Sequence, residues 1–311
     1  MFISEALALG SATCIALSSM FINELNGRVP LMQLARWQLT AGLLFTAAAA
    51  TVVGGWATLG AWQIWALAAS GAVGIALAST TYFAAIYAAG PRITALLFTL
   101  TSPFALALGY SVLGETISLL QGIGVFLILA GVVVAIGLRR RRPAPMMPLS
   151  DEQPIAAPAP ADHPSLAGIV LGVVTALGQA VGTLLARPAM ASGVEPFAAM
   201  AVRTGLAVIC IWALLVLPAM RRQTAAPANS DGGKSGFGIA TAAAFFGPAL
   251  GMSLLMAALA TGDVGIVSTL SSMTPIVILP MVWLRSGQMP RAVAWAGAAL
   301  AIVGTALTIA W

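Results

Sequence analysis

Two prolines, each preceded by hydroxyl side chains at the same spacing, are the most distinctive chemical feature of this apolar sequence. Thr99 and Ser102 precede Pro103 by four positions and one, and Ser271 and Thr274 precede Pro275 in the same way. A proline inside a helix frees the carbonyl four residues earlier, and in lipid that carbonyl needs a neighbour or a water-filled cavity. We therefore predict kinked, gating helices at both prolines, with the four hydroxyls on a cavity wall. The alternative is that these hydroxyls only satisfy the carbonyls of their own kinks.

Five further side chains are candidates to line the same cavity, because they are polar or polarizable within otherwise apolar segments. A phenol at membrane depth needs a hydrogen-bond partner, which a substrate amine, a substrate carboxylate or water could supply. Methionine sulfur provides a soft and adaptable lining. The five candidates are Ser79, Tyr82, Gln179, Ser253 and Met256.

Titratable groups are nearly absent from the apolar segments, and this excludes several kinds of chemistry. Cys14 and Cys210 both lie in apolar runs, so a disulfide framework and a zinc site are excluded. The single histidine, His163, lies in a Pro/Ala-rich stretch. An intramembrane protease would need paired aspartates or a histidine base at membrane depth, and the sequence provides neither. We therefore predict no enzymatic activity, no metal and no cofactor.

Arg36 and Arg203 are the exceptions, since each lies one or two turns inside an apolar segment. Long basic side chains in such places usually snorkel toward the interface or brace neighbouring helices. That interpretation is adopted for both arginines, with contact to a substrate carboxylate as the alternative.

The elements that must position these residues are membrane-spanning helices. Only 7% of the 311 residues are charged and 60% are hydrophobic, whereas an ordinary soluble domain is about 25% charged. Soluble enzymes, nucleic-acid-binding proteins and secreted disulfide modules are thereby excluded. A helix needs about 20 apolar residues to cross the bilayer, and ten segments qualify. They lie at about 3–22, 33–53, 63–88, 93–113, 117–138, 166–186, 196–217, 237–260, 264–284 and 292–311.

The ten segments form two similar halves. Residues 139–164 begin with four arginines and are rich in proline and alanine, a composition typical of an extended linker. The linker separates a first five-helix repeat at 1–138 from a second at 165–311. An ordered series of features recurs in both halves: Arg36 and Arg203, Gly90 and Gly262, the two Pro motifs, Gly114-Glu115 and Gly287-Gln288, and Gly124/Gly131 and Gly297/Gly304. Because five is odd, the repeats must insert with opposite orientation, an arrangement typical of transporters.

On these residues the sequence resembles the drug/metabolite transporter superfamily, specifically its ten-helix EamA-type exporters. The YddG-type exporters of aromatic amino acids are the nearest branch. The resemblance implies a metabolite or amino-acid exporter. Gln288 departs from it, because an acid is expected at that turn.

The predicted function is export of small neutral or zwitterionic metabolites, above all amino acids, by alternating access around a central cavity. A multidrug or organic-cation exporter, a sugar-phosphate-type exchanger and a channel or facilitator remain alternatives. The expected partners are a small-molecule substrate and the lipid bilayer, without nucleic acid, and the sequence is compatible with a monomer.

Twelve of the fourteen Lys/Arg residues lie in odd-numbered connections. Short basic connections stay in the cytoplasm, so both termini are expected on the non-cytoplasmic side of a bacterial-type inner membrane.

Overall fold

A computed structural model describes residues 2–25, 29, 31–89, 91–137, 165–213, 233–286 and 292–310. These residues form helices and short connections, with no strand among them. The first repeat contains α1 (Phe2–Glu24), α2 (Leu31–Val53), α3 (61–89), α4 (91–113) and α5 (Leu119–Gly137). The second contains α6 (Leu166–Ala191), α7 (Pro196–Ala213), α8 (233–261), α9 (264–286) and α10 (Ala292–Ala310).

Four of these helices change geometry along their length. α3 contains Ala61–Gly71, a π-helical turn Ala72–Leu77, and Ala78–Ala89. α8 is built in the same way, from Gly233–Ala244, a π-helical turn Phe245–Gly251, and Met252–Thr261. α4 consists of α4a (Pro91–Phe98) and α4b (Thr101–Leu108), which ends in a π-helical turn Gly109–Leu113. α9 consists of α9a (Val264–Ser271) and α9b (Thr274–Ser286).

The surface of the bundle has the character of a membrane protein. Six helices within the described residues are long and apolar enough to cross a bilayer, and shorter apolar helices accompany them. Large apolar side chains point outward, among them Val52, Leu119 and Leu284, each more than four-fifths exposed. A surface of this kind needs lipid around it. The predicted fold class, an all-α integral membrane protein, is confirmed.

One predicted boundary is wrong, because α6 continues to Ala191 rather than ending near residue 186. The predicted end was placed before the charge of Arg187. That charge does not end the helix, because the side chain is half-buried and its Nη1 donates to the Ala260 carbonyl at 3.4 Å.

α5 and α10 are in backbone contact along glycine-lined faces. A Cβ added at Gly131 would lie 2.5 Å from the Gly297 carbonyl oxygen, and one added at Gly304 would lie equally close to the Gly124 carbonyl oxygen. Residue numbers rise along α5 as they fall along α10, so the two helices are antiparallel. Small residues allow this close approach, which strengthens helix association in lipid.

Two other pairs of equivalent helices also run antiparallel. α2 packs on α7, with Thr40 near Trp212 and Leu43 near Gly205. α4b packs on α9a, with Ser102 near Ser272 and Leu106 near Gly265.

The remaining contacts follow the same exchange between repeats. α3 packs on α6, and its equivalent α8 packs on α1, the equivalent of α6. This arrangement is the geometry of an inverted repeat.

Gly131→Ala is expected to destabilise the protein, because its new methyl group must separate two backbones already in contact. Overpacking of this kind costs about 1–3 kcal/mol, which thermal unfolding in detergent micelles would detect. Gly122→Ala on the same helix is the matched control, since a Cβ there meets nothing within 4 Å. Equal melting temperatures for the two variants would contradict close packing of α5 on α10.

Candidate functional site

α4 and α9 are interrupted at equivalent positions, a few residues before their prolines. The interruptions fall at residues 99–100 and 272–273, and helical geometry resumes at Thr101 and Thr274. Because a proline cannot donate to the preceding turn, the chain there adopts a tighter local geometry. Interrupted helices at matching positions of two repeats are the best pointer to a transport site.

The carbonyls that the prolines leave free, four residues earlier, accept hydrogen bonds within their own helices. The Thr99 carbonyl accepts from the Ser102 N–H at 3.3 Å. The Ser271 carbonyl accepts from the Thr274 hydroxyl at 2.9 Å, and the Ser271 hydroxyl donates to the Val267 carbonyl at 2.9 Å. The Thr274 hydroxyl therefore satisfies the carbonyl freed at its own kink, whereas the Ser271 hydroxyl bonds to a carbonyl one turn earlier.

Ser102 joins the two helices. Its buried Oγ lies 2.8 Å from the Ser272 Oγ and donates to the Ser268 carbonyl at 3.4 Å. Ser268 and Ser272 were missed from the sequence, which directed attention to Ser271. Ser268 and Ser272 can be identified only from the antiparallel register of α4 and α9, which places them opposite Ser102.

The contacts between α4 and α9 are confined to one end of the bundle. α4b packs on α9a, whereas α4a and α9b make no comparable contact among the described residues. Residues 252–261 of α8 likewise pack on α6 and α7. In the first repeat the equivalent contact would join residues 78–89 of α3 to α1 and α2, and no comparable contact is present in the described chain. We call the end with these contacts the closed end, and the opposite end the open end.

The remaining candidates lie apart from the Ser102 contact. Tyr82, near the open end, is half-buried, and its ring meets Phe98 edge-on with centroids 5.8 Å apart. Ser79 precedes it by one turn and is also half-buried, as is Gln179 on α6. Pro103 is half-buried in α4b, whereas the side chain of Pro275 lies outside the described set.

Met256 lies at a different part of the interior, beside an arginine, and Ser253 precedes it by three residues on α8. The Arg203 guanidinium donates from Nη1 to the Met256 sulfur at 3.0 Å. Arg203 is fully buried and Ser253 is 3% exposed. Of the two sequence-based interpretations of Arg203, the structure excludes snorkelling, because the side chain turns into the bundle, whereas its contact with Met256 of α8 is compatible with bracing.

Glu115 links α4 to α9 at the closed end. Its Oε1 accepts from the Val264 N–H at 2.9 Å, at the first residue of α9a. A carboxylate at this position also interacts favourably with the helix dipole. Gly109 makes room for the carboxyl group, because a Cβ at that position would clash with it.

Burial raises the pKa of the Glu115 carboxyl above its ordinary 4.5. The charge of Asp263 acts in the same direction, while backbone hydrogen bonds from Val264 and Gly265 and the charge of Arg187 lower it. Partial burial of the Glu115 carboxyl thus disfavours its ionised form.

The pH dependence of stability tests this placement. A carboxyl whose pKa is raised on folding stabilises the fold at low pH, and that contribution is lost as pH rises through the raised pKa. Glu115→Gln keeps an oxygen acceptor for the Val264 N–H but cannot ionise. The melting temperature of the wild type should therefore fall relative to Glu115→Gln as pH rises above 4.5. A difference that is independent of pH would contradict the partial burial of the carboxyl.

Comparison with known proteins agrees with this architecture. A family model described as the EamA-like transporter family matches residues 2–137 and 166–310. A crystal structure of a protein with 19% sequence identity superposes with a TM-score of 0.72, covering 99% of this chain and 95% of that chain. No curated protein sequence matches. The chain therefore belongs to the EamA-like transporter family, as a multi-pass membrane transporter of small solutes.

Proposed function

We propose that the protein exports small neutral or zwitterionic metabolites by alternating access, with amino acids, including aromatic ones, as the substrates. A YddG-type exporter of aromatic amino acids is the most specific form of this proposal. The residues that would line the path are the hydroxyls of α4 and α9 together with Ser79, Tyr82 and Gln179.

The packing asymmetry of two equivalent repeats carries the proposal of alternating access. The repeats share one architecture, yet α4b and α9a are in contact while α4a and α9b are not. Exchanging the conformations of the two repeats would close the open end and open the closed end. Inverted repeats allow such an exchange, because each repeat can adopt the conformation that the other holds.

The chemistry of the interior supports a zwitterionic or neutral cargo. Hydroxyl groups and a phenol can bind an amine or a carboxylate without imposing a large net charge on the path. An organic-cation exporter would need an embedded carboxylate, and the described helices place their acids at or near helix ends, as with Glu5 and Glu24. A sugar-phosphate exchanger would need several cations in the interior, and Arg203 is the one fully buried arginine among the described residues.

The distribution of charge supports the direction of transport. The helix ends that flank the odd-numbered connections lie at the open end, and twelve of the fourteen Lys/Arg residues belong to these connections or to the first two turns or the last turn of the flanking helices. Basic connections favour the cytoplasm, so we assign the open end to the cytoplasmic side and both termini to the opposite side. A solute would then enter from the cytoplasm and leave after the closed end opens.

A disulfide across the closed end should stop transport. The Ser102 and Ser272 hydroxyl oxygens are 2.8 Å apart, so Ser102→Cys combined with Ser272→Cys is expected to crosslink under oxidation. The background would carry Cys14→Ala and Cys210→Ala. Amino-acid flux in proteoliposomes is expected to fall at least about tenfold on oxidation, and reductant should restore it.

Each single cysteine variant serves as the control for loss of the hydroxyl itself. Both are expected to transport equally with and without oxidant. Undiminished flux through fully crosslinked protein would contradict alternating access and favour a channel or facilitator.

The substrate class can be tested with labelled solutes. Proteoliposomes should transport aromatic and aliphatic amino acids, and Tyr82→Ala should reduce flux of the aromatic ones more than Tyr82→Phe, which keeps the ring contact with Phe98. Transport of a phosphorylated sugar with no transport of any amino acid would contradict the proposed substrate class. Unchanged flux in Tyr82→Ala would remove that side chain from the path.

A further inference from the structure

Arg203 is a charged side chain enclosed by the bundle. It lies on α7, seven residues after Pro196, so the rise of the helix places it roughly 10 Å from the closed end of α7. The side chain has no solvent-exposed surface. Its neighbours come from three helices: Met200 on α7 itself, Met256 on α8, and Gly74 in the π-helical turn of α3.

The hydrogen bonds of the guanidinium leave one of its edges unused. Nη1 donates to the Met200 sulfur at 3.6 Å and to the Met256 sulfur at 3.0 Å. Nε and Nη2 are buried and have no partner within the described part of the chain. These two nitrogens lie on the same edge of the guanidinium and present two parallel N–H donors. That edge matches the two oxygens of a carboxylate in a bidentate pair.

The surroundings provide little compensation for the positive charge. Thioether sulfurs are weak acceptors, and no acidic side chain among the described residues forms an ion pair with Arg203. A guanidinium remains protonated in proteins, so it cannot avoid the cost of burial by losing its proton. An unpaired buried charge of this kind is strongly destabilising, and an anionic partner would remove that cost.

The nearby side chains suit a bound solute. Ser253 lies one helical turn from Met256 on α8, and its buried hydroxyl has no partner among the described residues. Met200 and Met256 can adapt their shape to different ligands. At Gly74 the α3 backbone approaches closely, because a Cβ there would lie 3.3 Å from Nη2 and 2.8 Å from the Gly182 Cα.

The equivalent arginine of the first repeat is in a different environment. Arg36 is half-buried, and its guanidinium carbon lies 5.8 Å from the centroid of the Trp212 ring. Arg203 is enclosed where residues 252–261 of α8 pack on α6 and α7. Near Arg36, residues 78–89 of α3 make no comparable contact with α1 or α2 in the described chain. Enclosure of Arg203 therefore accompanies closure of its end of the bundle.

We propose that Arg203 binds the carboxylate group of the transported solute through Nε and Nη2, with Ser253 as a second polar contact. The proposal rests on the proposed function and narrows it, because the substrates would be solutes that carry a carboxylate. An amino acid meets this requirement, and its amide or the corresponding amine does not.

Matched ligands test the site on the purified full-length protein. The probes are L-phenylalanine and L-phenylalaninamide, compared by thermal stabilisation in detergent and by flux in proteoliposomes. Wild type is expected to prefer the carboxylate. Arg203→Gln should weaken the apparent affinity for phenylalanine at least about tenfold and leave the amide nearly unchanged, as expected for the loss of a charge-assisted pair. Arg203→Lys should give an intermediate loss, since it keeps the charge without the parallel donors.

Arg36→Gln is the charge-matched control and should retain the preference for the carboxylate. If Arg203→Gln does not fold, two measurements still test the carboxylate site. They are the binding of phenylalanine against its amide by the wild type, and the same comparison with Arg203→Lys. Equal binding of acid and amide by wild type, or an unchanged preference in Arg203→Lys, would overturn the proposal. Arg203-dependent stabilisation by sodium chloride alone, as strong as that by phenylalanine, would assign the site to an inorganic anion and also overturn it.

The failure of this site and the failure of the proposed function give different results. Binding of benzoate but of no amino acid, with the same dependence on Arg203, would retain the carboxylate site and reject amino acids as the cargo. Transport of phenylalanine and its amide at equal rates, unaffected by Arg203→Gln, would retain a transporter of amino-acid-like solutes and reject the site.

Discussion

The contact between α5 and α10 fixes the relation between the two repeats. Gly131 and Gly304 bring the helix backbones so close that a single methyl group would not fit. Lipid provides no hydrophobic force to hold helices together, so association depends on van der Waals packing and on small residues at the interface. α5 and α10 run antiparallel, and the contacts of α2 with α7 and of α4b with α9a link the repeats independently of this pair.

The contacts that close one end of the bundle combine a few polar bonds with apolar packing. Ser102 and Ser272 share one hydrogen bond, and interhelical hydrogen bonds in membranes contribute about 0.6 kcal/mol on average. Glu115 adds an electrostatic cap on α9a. The same end is also packed by apolar side chains, since α9a buries Val264, Val267 and Leu270 in the apolar interior, and a Cβ at Gly265 would clash with Leu106.

Several features of the fold followed from the sequence, and others required the tertiary register. The apolar lengths predicted the helices, and the spacing of Gly124 and Gly131 against Gly297 and Gly304 predicted the repeat. Proline chemistry located the interruptions of α4 and α9. The partner of Ser102 was not predictable, because the choice between Ser271 and Ser272 depends on how two distant helices cross. The sequence did not decide between an outward and an inward position of Arg203, since an arginine near a helix end satisfies the snorkelling rule as well as it can brace a neighbouring helix.

Distances between spin labels across the two ends of the bundle test the central claim that closure alternates between them. One pair of labels would join Ile93 on α4a to Val277 on α9b, across the open end, and another would join Ser111 to Thr261, across the closed end. With a transported solute present, alternating access predicts a new population in which the first distance shortens while the second lengthens. Distances that change in the same direction at both ends, or that do not respond while flux proceeds, would contradict the account.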